Sequence, residues 1–168
     1  MTTFAVGEEA ERSGGAFLIR DISQIAAPLD AVQPELEPGS EIRLDVVVRT
    51  RKIGHFFPGG TVDAFEVWLE LEAQDARGRK FFHSGAVDEE GNVDPGAHFY
   101  RSYMLDGDGN PINKRNAWQA RSVLYVRLIP PGAADTVHYR VRIPGDARGP
   151  VVFRAKLNYR KFSKYYTA

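Results

Sequence analysis

The chain has no cysteine among its 168 residues. That absence excludes disulfides, thiolate metal sites, a cysteine nucleophile and covalent attachment of c-type haem through a C-x-x-C-H motif. Long apolar runs are missing too. No segment approaches the ~18 apolar residues of a membrane span, and the opening MTTFAVGEEAERSGG lacks the charged start and apolar stretch of a signal peptide, so no membrane insertion is expected. The net charge is zero, from 22 basic and 22 acidic residues. No overall field therefore draws in nucleic acid, and none is expected as a partner. Also lacking are G-x-S-x-G, a P-loop, a dinucleotide fingerprint and H-E-x-x-H, and spacing nominates no Ser/His/Asp set. The chain is read as a non-enzyme.

What is present is a globular composition, 43% hydrophobic and 11% aromatic, sufficient for one domain with its own core. Charge is segregated along it: residues 1–110 carry 10 Lys/Arg against 20 Asp/Glu, and residues 111–168 carry 12 against 2. Strands from the basic end are expected to pair beside strands from the acidic middle.

Residues 1–15, with Gly7, Gly14, Gly15 and no periodicity, read as a flexible N-terminal arm, and 16–168 as a single domain. Ala16–Ile22 is a short strand candidate, followed by a connection punctuated by Pro28, Pro34 and Pro38. From Glu41 to Thr50, Ile42, Leu44, Val46 and Val48 alternate with Arg43, Asp45 and Arg49, the period of a half-buried strand. A second strand alternates Phe65, Val67, Leu69 and Leu71 with Glu66, Trp68, Glu70 and Glu72, which predicts an acidic outer face. Gln119–Ile129 predicts a strand burying Leu124, Val126 and Leu128. Thr136–Ile143 predicts one burying Val137, Tyr139, Val141 and Ile143, and Val151–Tyr159 one burying Val151, Phe153, Ala155, Leu157 and Tyr159. Seven to eight short strands without helical period point to an all-β, antiparallel β-sandwich of immunoglobulin-like size.

Four histidines could carry chemistry. His138 alternates outward among arginines and His83 ends a strand, so both read as solvated strand residues. His55 and His98 lie among aromatics, in Gly-His-Phe-Phe-Pro and Ala-His-Phe-Tyr. Each either hydrogen-bonds a backbone carbonyl and stiffens its loop or, with Phe56 and Phe57, borders a haem edge. After His55 the Pro58-Gly59-Gly60 corner must reverse or kink the chain. The run Asp106–Asn110 imitates half of a calcium loop, but Pro111 and Ala117 stand where an EF-hand needs glycine and glutamate; it reads as a plain turn.

The stretch Gly54-His55-Phe56-Phe57-Pro58-Gly59-Gly60 resembles the Gly-His-x-Phe-Pro-type element in C-terminal β-sandwich domains of bacterial multihaem c-type cytochromes, some of which also carry tetratricopeptide repeats. The stretches Asp63–Trp68, His83–Gly85, Val93–Pro95, Ala97–Tyr100 and Asn113–Trp118 extend the likeness over about residues 40–165. In those proteins the haems hang on C-x-x-C-H motifs of a neighbouring segment. The resemblance therefore implies a non-catalytic accessory domain of an electron-transfer protein, periplasmic or extracellular, with no haem bound covalently in this chain. It implies packing against a haem-bearing cytochrome segment or subunit, with His55, and His98 second, as distal ligands to a haem held there. The alternative reading is a protein- or carbohydrate-recognition module using Phe56, Phe57, Tyr100, Tyr103 and Trp118 on the loops 53–61, 84–99 and 106–118.

Overall fold

The computed structural model describes residues 2–7, 25–26, 29, 32–112 and 116–164. Ten strands run through them: β1 (Thr2–Gly7), β2 (Ile25–Ala26), β3 (Glu41–Arg49), β4 (Glu66–Gln74), β5 (Lys80–Ser84), β6 (His98–Phe99), β7 (Ser102–Leu105), β8 (Ser122–Val126), β9 (Ala134–Arg142) and β10 (Val152–Arg160). Eight of these have four residues or more, and the pairings β1–β2, β1–β3, β3–β9, β4–β6 and β7–β8 are all antiparallel. The fold is the all-β, antiparallel class that the alternation predicts. A short 3-10 turn lies at Ala117–Gln119, and among the described residues no helix is long and apolar enough to cross a membrane.

Two compact units divide the chain: Met1–Arg49 with Ala73–Phe82 and Ala134–Val152, and Thr50–Glu72 with His83–Ala133 and Phe153–Ala168. The first contains the sheet β2-β1-β3-β9. Thr2–Gly7, inside the stretch read as an arm, is strand β1 and pairs with Arg43–Val48 of β3. The strand candidate Ala16–Ile22 lies outside the described residues. In β3, Ile42, Leu44, Val46 and Val48 are buried, and β9 adds Val137 and Val141, with Ile143 just beyond it, as period-two patterning requires. On the opposite face of the pair, Asp45 accepts from His138 Nδ1 at 2.7 Å and from Arg43 Nε at 2.9 Å.

The turn after β4 is held by a buried carboxylate. Asp75 Oδ1 accepts the backbone N–H groups of Arg77 and Arg79 at 3.0 and 3.1 Å, while Arg79 forms a two-pronged pair with Asp146 at 2.7 and 2.8 Å. Burial works to raise the Asp75 carboxyl, but the backbone N–H bonds and Arg77 outweigh it and hold the group below its usual range. The Arg79 hydrogen bond and charge bring Asp146 down to about 2. A carboxylate lowered in the folded state contributes stability that is complete above its unfolded value near 4 and is lost as pH falls through the folded value. Acid unfolding followed by circular dichroism is therefore expected to show stability declining between about pH 4 and pH 2, and Asp146→Asn is expected to flatten that slope.

β4 is the central strand of the sheet β10-β4-β5, with β6 also paired to it. Its side chains are buried on both faces. Leu69 and Leu71 are fully enclosed, as expected, but Glu66 and Glu72 are only 7% and 6% exposed, so the acidic face is not an outer face. Two features cover it. Val93 and Ala97 of the loop between β5 and β6, with Phe99 of β6, pack against Trp68, whose indole donates to Gly85 O at 3.0 Å. From β10, Arg160 pairs with Glu66 and Arg154 with Glu72.

Two burial expectations fail. In β8, Leu124 and Val126 are 60% and 56% exposed and Leu128 just beyond it is half-buried, because among the described residues β8 pairs with β7 alone in a two-stranded ribbon, and a two-stranded ribbon does not by itself bury a face. In β10, Leu157 and Tyr159 are exposed; in this half of the edge strand the half-buried residues are Asn158 and Arg160, which bond to Glu70 and Glu66 of β4.

Candidate functional site

Pro58, Gly59 and Gly60 turn the chain just after the aromatic pair. Gly60 has φ +89°, a backbone state that a side chain disfavours. Phe57 anchors the corner: its N–H donates to Ile129 O at 2.8 Å and its carbonyl accepts from Ile129 N–H at 2.7 Å. Pro58 is buried and Phe57 half-buried, whereas His55 and Phe56 face outward. The corner thus has a fixed base and a histidine on its exposed side.

The His55 ring is oriented by two contacts. Nδ1 lies 2.7 Å from the Phe56 carbonyl oxygen; a carbonyl only accepts, so Nδ1 carries the proton and donates. In the neutral ring this leaves Nε2 with its lone pair, and among the described residues nothing engages it. The second contact is Gly59, where an added Cβ would fall 2.7 Å from Nδ1 and 2.8 Å from Cε1. A proton fixed on one nitrogen by a backbone carbonyl, with the other presented outward, is the usual preparation of a metal-ligating imidazole.

His98 is placed differently. It lies on β6 beside Leu69, its ring edge-on to Tyr100 at 5.1 Å, and Arg127 Nη1 is 3.4 Å from its Nδ1. A guanidinium only donates, so Nδ1 of His98 is the acceptor, the reverse of His55. Phe57 meets the same Tyr100 ring at 6.1 Å. Phe57 and His98 therefore share one buried aromatic, while His55 and Phe56 stand apart from it.

Of the aromatics on these loops, Tyr100 is fully buried and unavailable to a ligand, while Phe56 and Trp118 are 52% and 77% exposed. The turn Asp106–Asn110 closes on itself: Asp106 Oδ1 accepts the N–H groups of Asp108 and Asn110 at 2.9 and 2.8 Å, the plain turn that was expected.

Sequence reasoning missed two features. The β7–β8 ribbon carries a stack in which Arg101 lies over Phe99 at 4.3 Å and over Tyr103 at 4.9 Å, and Tyr103 stacks on Tyr125 at 5.9 Å. The other is His83, read as solvated, which meets Glu70 at 3.0 Å. The two residues sit on neighbouring strands, a pairing that no local pattern announces.

The chain shares its fold with part of a multihaem cytochrome. The structure in question is a penta-heme cytochrome c552 from Thermochromatium tepidum, similar with a TM-score of 0.54 and 24% identity over 74% of this chain. This chain spans 30% of that protein's length. No family model and no curated protein matches the sequence.

Proposed function

We propose that this chain is a non-catalytic accessory domain of a multihaem electron-transfer protein, periplasmic or extracellular, which packs against a haem-bearing segment and offers it His55 as a distal ligand. The observation that carries the reading is the His55 ring, with Nδ1 tied to the Phe56 carbonyl and Nε2 presented outward at a corner anchored by Phe57. The fold shared with part of a penta-heme cytochrome supports the setting. So does the exposed apolar surface of β8, which among the described residues pairs with β7 alone. In this reading Phe56 lies along the haem edge and His98 is the second choice, because Arg127 already occupies its Nδ1.

Haem titration followed by visible absorption tests the ligation. Wild-type protein is expected to give the Soret and α/β bands of a low-spin, imidazole-ligated haem. His55→Ala is expected to lose them and His98→Ala to keep them. Gly59→Ala, which crowds Nδ1, is expected to weaken binding about tenfold while the far-ultraviolet circular dichroism stays that of the wild type. Bands that persist unchanged in His55→Ala would remove the ligand role.

The outward Trp118 and Phe56 favour a second reading, a recognition module for protein or carbohydrate. Quenching of Trp118 fluorescence by a member of a glycan or peptide panel, without any haem binding, would select it.

A further inference from the structure

The face of β4 carries three carboxylates, Glu66, Glu70 and Glu72, and the β10 partners opposite them are not equivalent. Glu66 has Arg160 and Glu72 has Arg154, the latter at 2.7 Å. Glu70 has instead the neutral amide of Asn158 at 2.9 Å and, more remotely, Lys156 at 3.9 Å. Its remaining oxygen, Oε1, lies 3.0 Å from His83 Nε2 on β5. Burial tends to raise the Glu70 carboxyl, but the bonds from Asn158 and His83 and the charge of Lys156 prevail and keep it below its usual value, hence ionised at neutral pH. Negative charge is thus least compensated at the point where a carboxylate faces an imidazole.

We propose that Glu70, Glu72 and His83 form a binding site for a divalent cation, with Zn²⁺ the best fit to one nitrogen and two oxygens. One ligand atom from each residue lies within 4.8 Å of the others. All three are held on adjacent strands of one sheet rather than on a mobile loop. Imidazole with carboxylate oxygen is a donor set suited to zinc. Donors around a tetrahedral ion at ~2 Å lie roughly 3.3 Å apart, and since every pair lies within 4.8 Å, no pair need close by more than about 1.5 Å, which χ rotation of these side chains can supply. The ion takes the place of the proton between His83 Nε2 and Glu70 Oε1, and in the neutral ring that proton moves to Nδ1. Asn158 holds the outer oxygen of Glu70 and Arg154 an oxygen of Glu72, the kind of support that orients ligating carboxylates. Coordination beyond the three side chains is completed by water on the exposed side of His83.

Titration of the metal-free chain with zinc chloride, read by calorimetry and by amide NMR shifts, tests this. One equivalent is expected to bind, shifting the amides of residues 70–72 and 83 and raising the melting temperature. His83→Gln keeps a hydrogen-bonding side chain at that position, and Glu70→Gln keeps the shape; each is expected to weaken binding at least tenfold. His138→Gln, on β9 beside Asp45, is expected to bind as the wild type does. Absence of stoichiometric binding, binding unchanged in His83→Gln, or shifts confined to His55 would each overturn the assignment. Amide spectra of the variants without metal verify that their fold is retained, so a lost ion is not mistaken for a lost sheet.

Discussion

Arg160→Ala is expected to destabilise the protein by about 3–5 kcal/mol, the cost of breaking a buried pair from one side. Arg160 donates through Nε to Glu66 at 2.8 Å and through Nη2 to the same carboxylate, and its Nη1 reaches Gly91 O at 2.7 Å. Its guanidinium also lies 5.7 Å from the Trp68 ring. The side chains are 29% and 9% exposed for Arg160 and Glu66. Removing the arginine strands an enclosed carboxylate, which cannot regain the water it lost. Glu66→Gln leaves the more exposed partner, which still holds Gly91 O and can reach solvent, and is expected to cost about 1–2 kcal/mol. The double variant is then less destabilised than Arg160→Ala alone, a coupling that a double-mutant cycle in urea reads directly. Equal effects of the two single changes would show that the pair is not the source of the stability.

Gly85→Ala is expected to cost roughly 2–4 kcal/mol, from strain of the left-handed backbone together with overpacking. Gly85 has φ +77°, and an added Cβ would stand 2.5 Å from Leu69 O and 3.0 Å from Glu70 Cα. Both are backbone atoms of the central strand, so no side-chain rotation relieves the clash. The glycine is also pinned from two sides, since its N–H donates to Asp94 Oδ2 at 3.1 Å and its carbonyl accepts from Trp68 Nε1 at 3.0 Å. Equilibrium urea unfolding gives the magnitude. Because Trp68 is the fluorophore touched, its emission maximum should shift to the red in the same variant. Gly60→Ala is a useful contrast: φ is again positive, but nothing lies within 4 Å of its Cβ, and only the backbone cost of about 1 kcal/mol is expected.

Legibility from sequence followed the number of layers touching a strand. The β3 and β9 patterns were readable because buried Leu44, Val46, Val137 and Val141 alternate with the polar residues Arg43, Asp45, Thr136, His138 and Arg140, even though Asp45 is itself enclosed. In β4 the alternation is just as regular, but it separates apolar from acidic burial rather than inside from outside: Glu66 and Glu72 are enclosed because arginines of β10 lie on them. The β8 pattern misled in the opposite sense, since Val123 to Val126 have the composition of a core strand and are exposed. At the histidines, the corner at Pro58–Gly60 and the surroundings of His55 and His98 were visible in the chain. The opposite roles of the two Nδ1 atoms were not, because they depend on which acceptor or donor each ring meets.

By itself, then, the amino-acid order determined the all-β class, the main strands, the corner after Phe57 and the absence of any cysteine with which this chain could hold a haem covalently. Those features rest on local terms: the period of two, the fixed φ of proline, the freedom of glycine and the residue inventory. Tertiary structure alone decided that Glu66 and Glu72 of β4 are buried, that His83 meets Glu70 and that exposed His55 turns Nδ1 to the Phe56 carbonyl. Each of these depends on groups distant in sequence, or on a ring torsion that local pattern leaves undetermined, and burial and hydrogen bonding are properties of the neighbours a residue acquires rather than of the residue itself.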